Sequence, residues 1–518
     1  MGRMQDVRPG CARHLPPGTP PPAAPTTSLT AAWEARWAAD GARAVLHDPS
    51  VGWVSAASLE EHSGAVARRF LAAGLEPGDR VLLSAGSSVA AVAAYVGALR
   101  AGLVVVPANT QYREPEVAHI ARDAAIGAAV VDEPVRGRWA ADAAPGPVLV
   151  TSVDDLAVLP TSAPVSGTAV AGAGRPAGEL PDLGPSDLGV LLYTSGTTGG
   201  PKGAPLSHGN LLAGAEALRL AWRWTPDDRL VHALPLFHLH GLGAGINGTL
   251  LAGASALLRP RFDAADVLAC AGAGGDGATL FFGVPTMYAR LASSSLSSLD
   301  ALSGLRLCVS GSAPLPPDLF ATIESATGQR ILERYGMTET MLTVSNPYEG
   351  ERRPGTVGVP LPGVSLRLAE GSGEVEVHGP TVFGGYWRGP DATAESFTGD
   401  GWFRTGDIGE LDEAGYLRIA GRTKELIITG GYNVYPREVE EALRAHPGVA
   451  DVAVAGRPSD RWGETVTAWV VPAADVTADA LLAFARTSLA PYKCPKDIRF
   501  LPALPRNALG KVLKHALP

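Results

Sequence analysis

The stretch Tyr193 to Gly203 reads YTSGTTGGPKG and follows the apolar run Leu188 to Leu192. An apolar run that ends in a turn rich in Ser, Thr and Gly predicts a buried strand followed by a flexible loop. Glycine lets backbone N–H groups approach an anion, the hydroxyls add donors, and Lys202 adds positive charge. The P-loop spacing is absent because Gly, not Ser or Thr, follows Lys202. The stretch predicts a phosphate loop of another kind, with a solvated linker as the alternative.

The composition predicts a globular chain with several domains. A chain of 518 residues is too long to fold around one compact core. Its content of 46% hydrophobic and 18% charged residues is ordinary for globular proteins. The net charge is −9 and the basic residues are scattered, so the sequence shows no basic cluster of the kind that binds nucleic acid. We therefore expect about two to four domains or subdomains and no nucleic-acid partner.

The cysteines and the apolar stretches bear on the compartment. The four cysteines form no CxxC pair and have no histidine at metal-ligand spacing; they are Cys11, Cys270, Cys308 and Cys494. The longest apolar stretch, Val89 to Ala108, is interrupted by Arg100 and predicts a helix and a strand rather than a membrane span. We expect a reducing cytoplasm, no metal cluster and no membrane contact.

Hydrophobic periodicity predicts the domain organisation. Residues 1–26 are rich in proline and lack a signal-peptide core, so we expect a disordered extension, with an organelle transit peptide as the alternative. Alternating strand and helix patterns on both sides of the loop predict two doubly wound α/β subdomains. The helices predicted in them include Val89 to Arg100, Glu114 to Ala124 and Gly241 to Leu251. Period-two alternation beyond Gly363 predicts a small β-barrel-like subdomain. We expect an N-terminal domain over 27–422 and a small, mobile α+β C-terminal domain over 423–518.

Six further stretches place polar residues after predicted strands, where open α/β sheets usually bind ligands. They are LPLFHLHG (Leu234 to Gly241), SGSAPL (Ser310 to Leu315), ERYGMTET (Glu333 to Thr340), TGD (Thr405 to Asp407), GRTKELIITGGYNVYPREVE (Gly421 to Glu440) and PRNALGK (Pro505 to Lys511). With the phosphate loop, and in this order, they resemble the adenylate-forming superfamily of acyl-CoA synthetases, adenylation domains and luciferases. The resemblance runs from about residue 30 to the end.

This resemblance implies a two-step reaction. A carboxylate attacks the α-phosphate of ATP to give an acyl-adenylate and pyrophosphate, and the thiol of coenzyme A then gives a thioester and AMP. Two anions meet in the first step, so Lys511 is expected to bridge the carboxylate and the α-phosphate. Mg²⁺ on Glu339 and Thr198, together with the loop, is expected to hold the β- and γ-phosphates.

The resemblance also assigns nucleotide contacts. Asp407 and Arg422 are expected to hold the ribose hydroxyls, and Tyr335 to stack on adenine. Taken singly, these residues also fit a turn, a surface charge and a core aromatic. The full set of expected ATP and AMP contacts is Thr194, Ser195, Gly196, Thr197, Thr198, Lys202, Ser312, Ala313, Pro314, Glu333, Arg334, Tyr335, Gly336, Met337, Thr338, Asp407, Arg422 and Lys511.

Four residues are expected to serve the second step. His238 is expected to gate the acyl pocket and the thiol tunnel, with a core histidine as the alternative; for His240 the core interpretation is preferred. Lys424 is expected to be the hinge on which the C-terminal domain rotates, so that Gly430 and Gly431 build the tunnel for coenzyme A.

Within the superfamily the sequence is most similar to malonyl-CoA and methylmalonyl-CoA synthetases. The stretches that carry this are LVHALPLFHLHGL, FFGVPTMYARL, CVSGSAPLP, ILERYGMTET and SNPYEGERRPGTVGVPLPGV. They imply that Arg290, Ser312 and Arg334 hold the distal carboxylate of the acid, which a guanidinium can pair bidentately. Against this, Arg290 has the spacing of an exposed residue, and Arg334 could pair with Glu333.

Three alternatives to this function stay open at this point. The acid could be a medium-chain or aromatic monocarboxylate, in which case the arginines would be structural. The chain could be a nucleotide-binding protein without ligase activity, although Lys511 and Glu339 are both present. The acceptor could be the phosphopantetheine of a separate carrier protein instead of coenzyme A.

Overall fold

The strands of the chain form four sheets. The structure is a computed structural model that describes residues 6–7, 11–16, 19–158, 179–194, 201–271, 275–429, 432–459, 462–507 and 510–518. Within these residues, two large sheets and one small sheet lie before residue 423, and a fourth sheet lies after it. The interval Pro160 to Leu180, whose Pro, Ala and Gly content predicts a linker or long surface loop, falls mostly outside the described residues.

The six-stranded sheet contains the strand that leads into the phosphate loop. Its strands lie in the order Leu149–Ser152, Ala128–Val131, Arg80–Ser84, Val104–Pro107, Leu188–Thr194 and Lys202–Ser207. The first five run parallel, and the last is antiparallel to its neighbour, so that Thr194 lies opposite Lys202. The buried apolar strand predicted ahead of the loop is therefore present, and it pairs with the strand that follows the loop in sequence; these two strands are called the phosphate hairpin.

The nine-stranded sheet carries most of the other motifs. Its strands lie in the order Val359–Pro360, Met341–Ser345, Leu332–Met337, Leu307–Ser310, Leu280–Gly283, Arg229–His232, Ser255–Leu258, Ala44–Asp48 and Gly52–Ser55. The six strands from Leu332–Met337 to Ala44–Asp48 are parallel. Residues 44–55 thus join the sheet formed after the loop, which periodicity did not predict.

Helices cover both large sheets. Before residue 423 they are Cys11–His14, Leu29–Ala39, Ala56–Ala72, Val89–Arg100, Glu114–Ala124, Pro134–Ala143, Val153–Val158, His208–Ala221, Gly248–Ala252, Ala264–Ala271, Pro285–Ala292, Leu296–Leu299, Pro317–Thr327 and Pro390–Ser396, with a 3₁₀ turn at Asp300–Gly304. Every residue of Val89–Arg100 except the half-buried Ala90 is buried, as its alanine-rich sequence suggests. In the described parts of the chain, each helix is too short or too polar to span a bilayer.

The helix predicted over 241–251 differs from expectation. A buried π-helix, His240–Asn247, precedes a short α-helix, Gly248–Ala252. Its glycines lie against backbone and rings: a Cβ at Gly241 would collide with the carbonyl of Pro235, and one at Gly245 with the His232 ring. Because π-helices are rare and often occur at functional sites, the wider turn beside the FHLHG motif marks this segment as a candidate part of the functional site.

The small sheet before residue 423 is antiparallel, as predicted. Its strands are Asp6–Val7, Ser365–Leu368, Glu374–His378, Phe403–Leu411 and Leu417–Arg422, in that order.

Part of the segment predicted to be a disordered extension packs against the rest of the chain. His14 is buried with a ring nitrogen 3.2 Å from the carbonyl oxygen of Val359, and Arg223 donates to the carbonyl of His14. This described part of residues 1–26 is therefore folded onto the N-terminal domain.

The residues after 422 form a compact α+β unit. Its strands lie in the order Tyr432–Val434, Ile427–Thr429, Gly463–Pro472 and Val449–Ser459, and Asp497–Phe500 pairs parallel to Gly463–Pro472. Helices Pro436–Arg444 and Ala478–Ala485 pack on a separate core, and 3₁₀ turns occur at Thr423–Glu425 and Lys514–Ala516. The predicted fold class is confirmed, while the boundary at residue 422 and the mobility of this unit stay predictions.

Candidate active site

One cavity gathers residues from five of the motifs. It measures about 840 Å³ and is lined from both sides of residue 423. Neighbouring parallel strands Leu307–Ser310 and Leu332–Met337 end at it, which is where ligands of open α/β sheets bind. Its motif residues are Ser312, Ala313, Pro314, Glu333, Arg334, Tyr335, Gly336, Asp407, Arg422 and Lys511. Met337 and Thr338 follow directly in the chain and are half-buried.

Three of the predicted nucleotide contacts form a hydrogen-bonded group. The Tyr335 hydroxyl donates to Asp407 Oδ2 at 2.6 Å, and Arg422 Nε lies 2.9 Å from Asp407 Oδ1. Asp407 and Arg422 are paired directly across neighbouring strands, which sets this geometry. The Asp407 charge raises the pKa of Arg422, while burial and the same charge raise the pKa of Tyr335. Asp407 is therefore an oriented carboxylate on the cavity wall.

Lys511 approaches the cavity from the C-terminal unit. Its side chain is exposed on the cavity wall, where partial enclosure and the nearby Arg422 charge lower its pKa. No salt bridge to Lys511 is present in the described part of the chain. Lys514, by contrast, lies 3.1 Å from a Glu425 oxygen and 2.9 Å from a Glu440 oxygen. Lys511 is thus the lysine available to a ligand.

Arg334 is buried without a partner. Its Nε and Nη2 atoms have no hydrogen-bond partner within the described residues, and burial lowers its pKa to about 9. The guanidinium lies over Gly311, where a Cβ would collide with it. The Oγ atom of Ser312, a residue with φ of 69°, is also buried and unpartnered. Two of the three residues predicted to hold a distal carboxylate are therefore adjacent and unsatisfied.

Arg290 lies elsewhere. Its side chain is exposed and its Cζ lies 4.9 Å from the Phe262 ring centroid. Thr286 and Ala289 of the same helix line the cavity, but Arg290 does not. The structure does not bring the two predicted arginines together.

Glu333 does not pair with Arg334, the alternative that the sequence left open. Its Oε1 accepts the Leu315 N–H at 3.1 Å and its Oε2 has no partner among the described residues. Burial raises the pKa of Glu333 to about 7, against the opposing effects of that hydrogen bond and of Arg437. The carboxyl is poised to titrate near neutrality inside the cavity.

The two histidines of FHLHG are both neutral. Burial, and to a smaller extent the Arg334 charge, lowers the pKa of His238 to about 4, and its Nδ1 accepts the His240 N–H at 3.1 Å. His240 is buried, with its ring 6.3 Å from that of Phe282. This fits the core interpretation of His240; the gating role of His238 stays a prediction.

Glu339 lies beside a residue that sequence reasoning missed. The Tyr386 hydroxyl donates to Glu339 Oε1 at 2.9 Å, and Lys202 Nζ lies 5.2 Å from the Tyr386 ring centroid. Burial raises the pKa of Glu339. Tyr386 follows a Gly-Gly pair, which signals a turn but not this contact.

Several predicted residues cannot be placed in the site. Thr194 and Lys202 end the two strands of the phosphate hairpin, and Lys424 lies in the exposed turn Thr423–Glu425. The predicted roles of six further residues stay predictions because these residues lie outside the described chain: Ser195, Gly196, Thr197, Thr198, Gly430 and Gly431.

The donor set fits Mg²⁺ better than a metal held by protein alone. No group of three or more His, Cys, Asp or Glu side chains is placed to hold a metal in the described part of the chain. Mg²⁺ is usually bound by one or two carboxylates together with substrate phosphates. Glu339, a buried carboxylate near Lys202 of the phosphate hairpin, suits that arrangement.

Comparison with known proteins agrees with this geometry. The family described as AMP-binding enzyme matches residues 33–387, and the AMP-binding enzyme C-terminal domain matches residues 438–511. A long-chain-fatty-acid–CoA ligase from Bacillus subtilis (strain 168) is 36% identical, with 86% of each chain covered. A malonate–CoA ligase from Arabidopsis thaliana is 34% identical, covering 88% of this chain and 80% of the relative. The crystal structure of ATP-bound MatB from Rhodopseudomonas palustris has a TM-score of 0.84 and 39% identity, covering 94% and 98%.

The chain belongs to the AMP-binding enzyme family, the adenylate-forming enzymes that its motifs resemble. The reaction class predicted from the sequence, an ATP-dependent, AMP-forming acid–CoA ligase, is confirmed.

Proposed function

We propose that this ligase acts on malonate or methylmalonate and converts the acid, ATP and CoA into the acyl-CoA through an acyl-adenylate. The buried guanidinium of Arg334, with two unpartnered nitrogens in the cavity that Ser312 also lines, carries this proposal. A buried charge without a partner is costly, and the distal carboxylate of a dicarboxylic acid would supply one. A monocarboxylate would leave Arg334 unpaired.

The other residues divide the first half-reaction between them. Lys511 would bridge the reacting carboxylate and the α-phosphate, and Tyr335, Asp407 and Arg422 would hold the nucleoside. Glu339 would be a ligand of Mg²⁺, which offsets phosphate charge when it is bound. His238 as gate and Lys424 as hinge complete the proposal, together with a coenzyme A tunnel at Gly430 and Gly431.

The compartment and the acceptor are also proposed. Cys270, Cys308 and Cys494 are free and buried, which supports a reducing cytoplasm. Coenzyme A is the acceptor favoured by the family, with a carrier protein as the other candidate. Product mass after incubation with CoA distinguishes the two.

The test measures acid-dependent pyrophosphate release over a panel of mono- and dicarboxylates. We expect malonate or methylmalonate to give the largest kcat/KM. The Arg334→Met variant should lose about 100-fold or more on malonate, because a buried charge pair is broken, and should lose little on butyrate. Arg330→Met, which removes a half-buried arginine of the same segment that does not line the cavity, is the matched control.

Two outcomes would count against the substrate. If octanoate or benzoate exceeds malonate by a wide margin, the alternative of a medium-chain or aromatic acid replaces it while the reaction class stands. The alternative of an inactive nucleotide-binding protein requires that no acid releases pyrophosphate. Arg290→Ala shows whether Arg290, which lies outside the cavity here, takes part once the acid is bound.

A further inference from the structure

The segment 380–388, PTVFGGYWR, connects the two parts of the chain proposed to handle the β- and γ-phosphates. The Phe383 N–H donates to the carbonyl of Glu339 at 2.8 Å, and the Trp387 N–H donates to the carbonyl of Gly203 at 2.8 Å. Gly203 follows Lys202 directly. The segment therefore fixes the backbone beside the proposed metal ligand and beside the phosphate-loop lysine.

Tyr386, in the middle of this segment, contacts both functional side chains. Its hydroxyl donates to Glu339 Oε1 at 2.9 Å, and its ring centroid lies 5.2 Å from Lys202 Nζ. A cation within about 6 Å of an aromatic ring is attracted to its face. One tyrosine thus touches a carboxylate through its polar end and an ammonium group through its ring.

The tyrosine is itself held in place. Its N–H donates to Thr393 Oγ1 at 2.9 Å, and its ring packs edge-on against Phe383 with centroids 4.9 Å apart. Gly385 before it has φ of 135° and no room for a Cβ against Thr393, so the turn requires glycine. The position of the Tyr386 side chain is therefore set by the surrounding fold.

This geometry keeps two opposite charges apart. No salt bridge joins Lys202 to Glu339 within the described residues, although both contact Tyr386. A direct ion pair would compensate each charge and withdraw both groups from a ligand. Because the hydroxyl engages one oxygen of Glu339, the carboxylate is oriented and its other oxygen stays available to a metal ion.

We infer that Tyr386 is a positioning residue for magnesium-bound ATP: it orients Glu339 and separates it from Lys202, so that both can act on the pyrophosphate part of the nucleotide. The inference rests on the proposed roles of Glu339 and Lys202. It adds to the site a residue far from both in sequence.

Calorimetric measurement of nucleotide binding, in the absence of the carboxylic acid substrate, tests this inference. Titrations of ATP with Mg²⁺, of ATP with EDTA and of AMP are compared for the parent, Tyr386→Phe and Tyr386→Leu. We expect Tyr386→Phe to weaken Mg²⁺-dependent ATP binding about tenfold, since a hydrogen bond to a charged group is lost, and Tyr386→Leu to weaken it further. AMP, which lacks the β- and γ-phosphates, should bind within about twofold of the parent.

Two controls separate this idea from the proposed function. Tyr416→Phe removes a tyrosine hydroxyl that donates to the Glu351 carbonyl far from the phosphate hairpin, and should leave all three titrations unchanged. Glu339→Gln should weaken Mg²⁺-dependent ATP binding in its own right. If Glu339→Gln does so while Tyr386→Phe matches the parent, the inference is wrong and the role of Glu339 stands. Equal losses for ATP and AMP in Tyr386→Phe would make Tyr386 merely structural and would also overturn it.

Discussion

The residues proposed to hold the nucleoside, called here the nucleoside end of the cavity, and those proposed to hold the acid, called the acid end, are built in opposite ways. At the nucleoside end, Tyr335, Asp407 and Arg422 satisfy one another before any ligand binds. At the acid end, Arg334 and Ser312 have buried polar atoms that nothing in the described chain satisfies. The polar groups of one end are satisfied in the free protein, and those of the other are not.

The difference has an energetic meaning. A hydrogen-bonded group contributes to folding and is ready to accept the ribose hydroxyls without rearrangement. An unpaired buried guanidinium destabilises the free protein, and perturbed groups of this kind cluster at functional sites. If the proposed role is right, the acid end would favour an anionic ligand, because an anion offsets the cost of the buried charge.

Lys511 lines the same cavity, where the charges of Arg422 and Asp407 act on it, and its removal should give the largest effect. The Lys511→Ala variant should lose about 100- to 1000-fold or more in pyrophosphate release, since one preorganised charge at the reacting phosphate is gone. AMP binding, which depends on the nucleoside end, should change little. Lys496→Ala, which removes a lysine whose Nζ donates to the Pro491 carbonyl at 3.3 Å, serves as control. Adenylation by Lys511→Ala at the parent rate would refute the mechanism.

Substitutions at the two ends should change the free energy of unfolding in opposite directions, which tests the contrast between the ends directly. Arg334→Met removes an unpaired buried charge and should raise the free energy of unfolding by about 1 to 4 kcal/mol. Asp407→Asn breaks a charged hydrogen-bond group and should lower it by about 1 to 3 kcal/mol. Denaturant unfolding with a common slope measures both. A destabilised Arg334→Met would mean that Arg334 already has a partner, and the contrast between the ends would fail.

The sequence predicted the local elements and motifs well, because these depend on nearby residues. Val89–Arg100 and Glu114–Ala124 were predicted with the bounds that the structure shows, since buried periodic runs determine them. The order of the motifs along the chain likewise indicated the family, which is confirmed, and the strand ends that meet at the cavity.

Long-range contacts set the rest. Ala44–Asp48 pairs with Ser255–Leu258, a choice among sheet edges that local pattern does not determine. Tyr386 meets Glu339 and Lys202 only because three distant segments converge. Arg290 stacks on Phe262 rather than facing the cavity, which depends on a rotamer and on a neighbour from another element. The sequence carried no periodic signal for any of these contacts.

The prediction for Glu333 has the smallest expected effect and is the most selective, because the change in folding stability should appear only as the pH rises. Its carboxyl has Oε2 unpartnered, with Arg437 and Glu441 of the C-terminal unit as the charged groups that act on it, and burial raises its pKa from 4.5 to about 7. Below about pH 4.5 both the folded and the unfolded protein carry the proton, so the group has no effect. Between these pH values the unfolded protein loses the proton first, so stability falls as pH rises. Above about pH 7 the loss is complete and is at most about 3 kcal/mol.

The Glu333→Gln variant should therefore match the parent in unfolding free energy near pH 5 and exceed it by about 1 to 3 kcal/mol at pH 8. Glu324→Gln, which alters a carboxylate that lies on a helix surface and pairs with Arg330, should show no such growth of the difference with pH. A constant difference for Glu333→Gln across pH 5 to 8 would mean that the folded carboxyl ionises at its ordinary pH. Glu333 would then belong with the satisfied groups of the nucleoside end, and Arg334 with Ser312 would remain as the acid end.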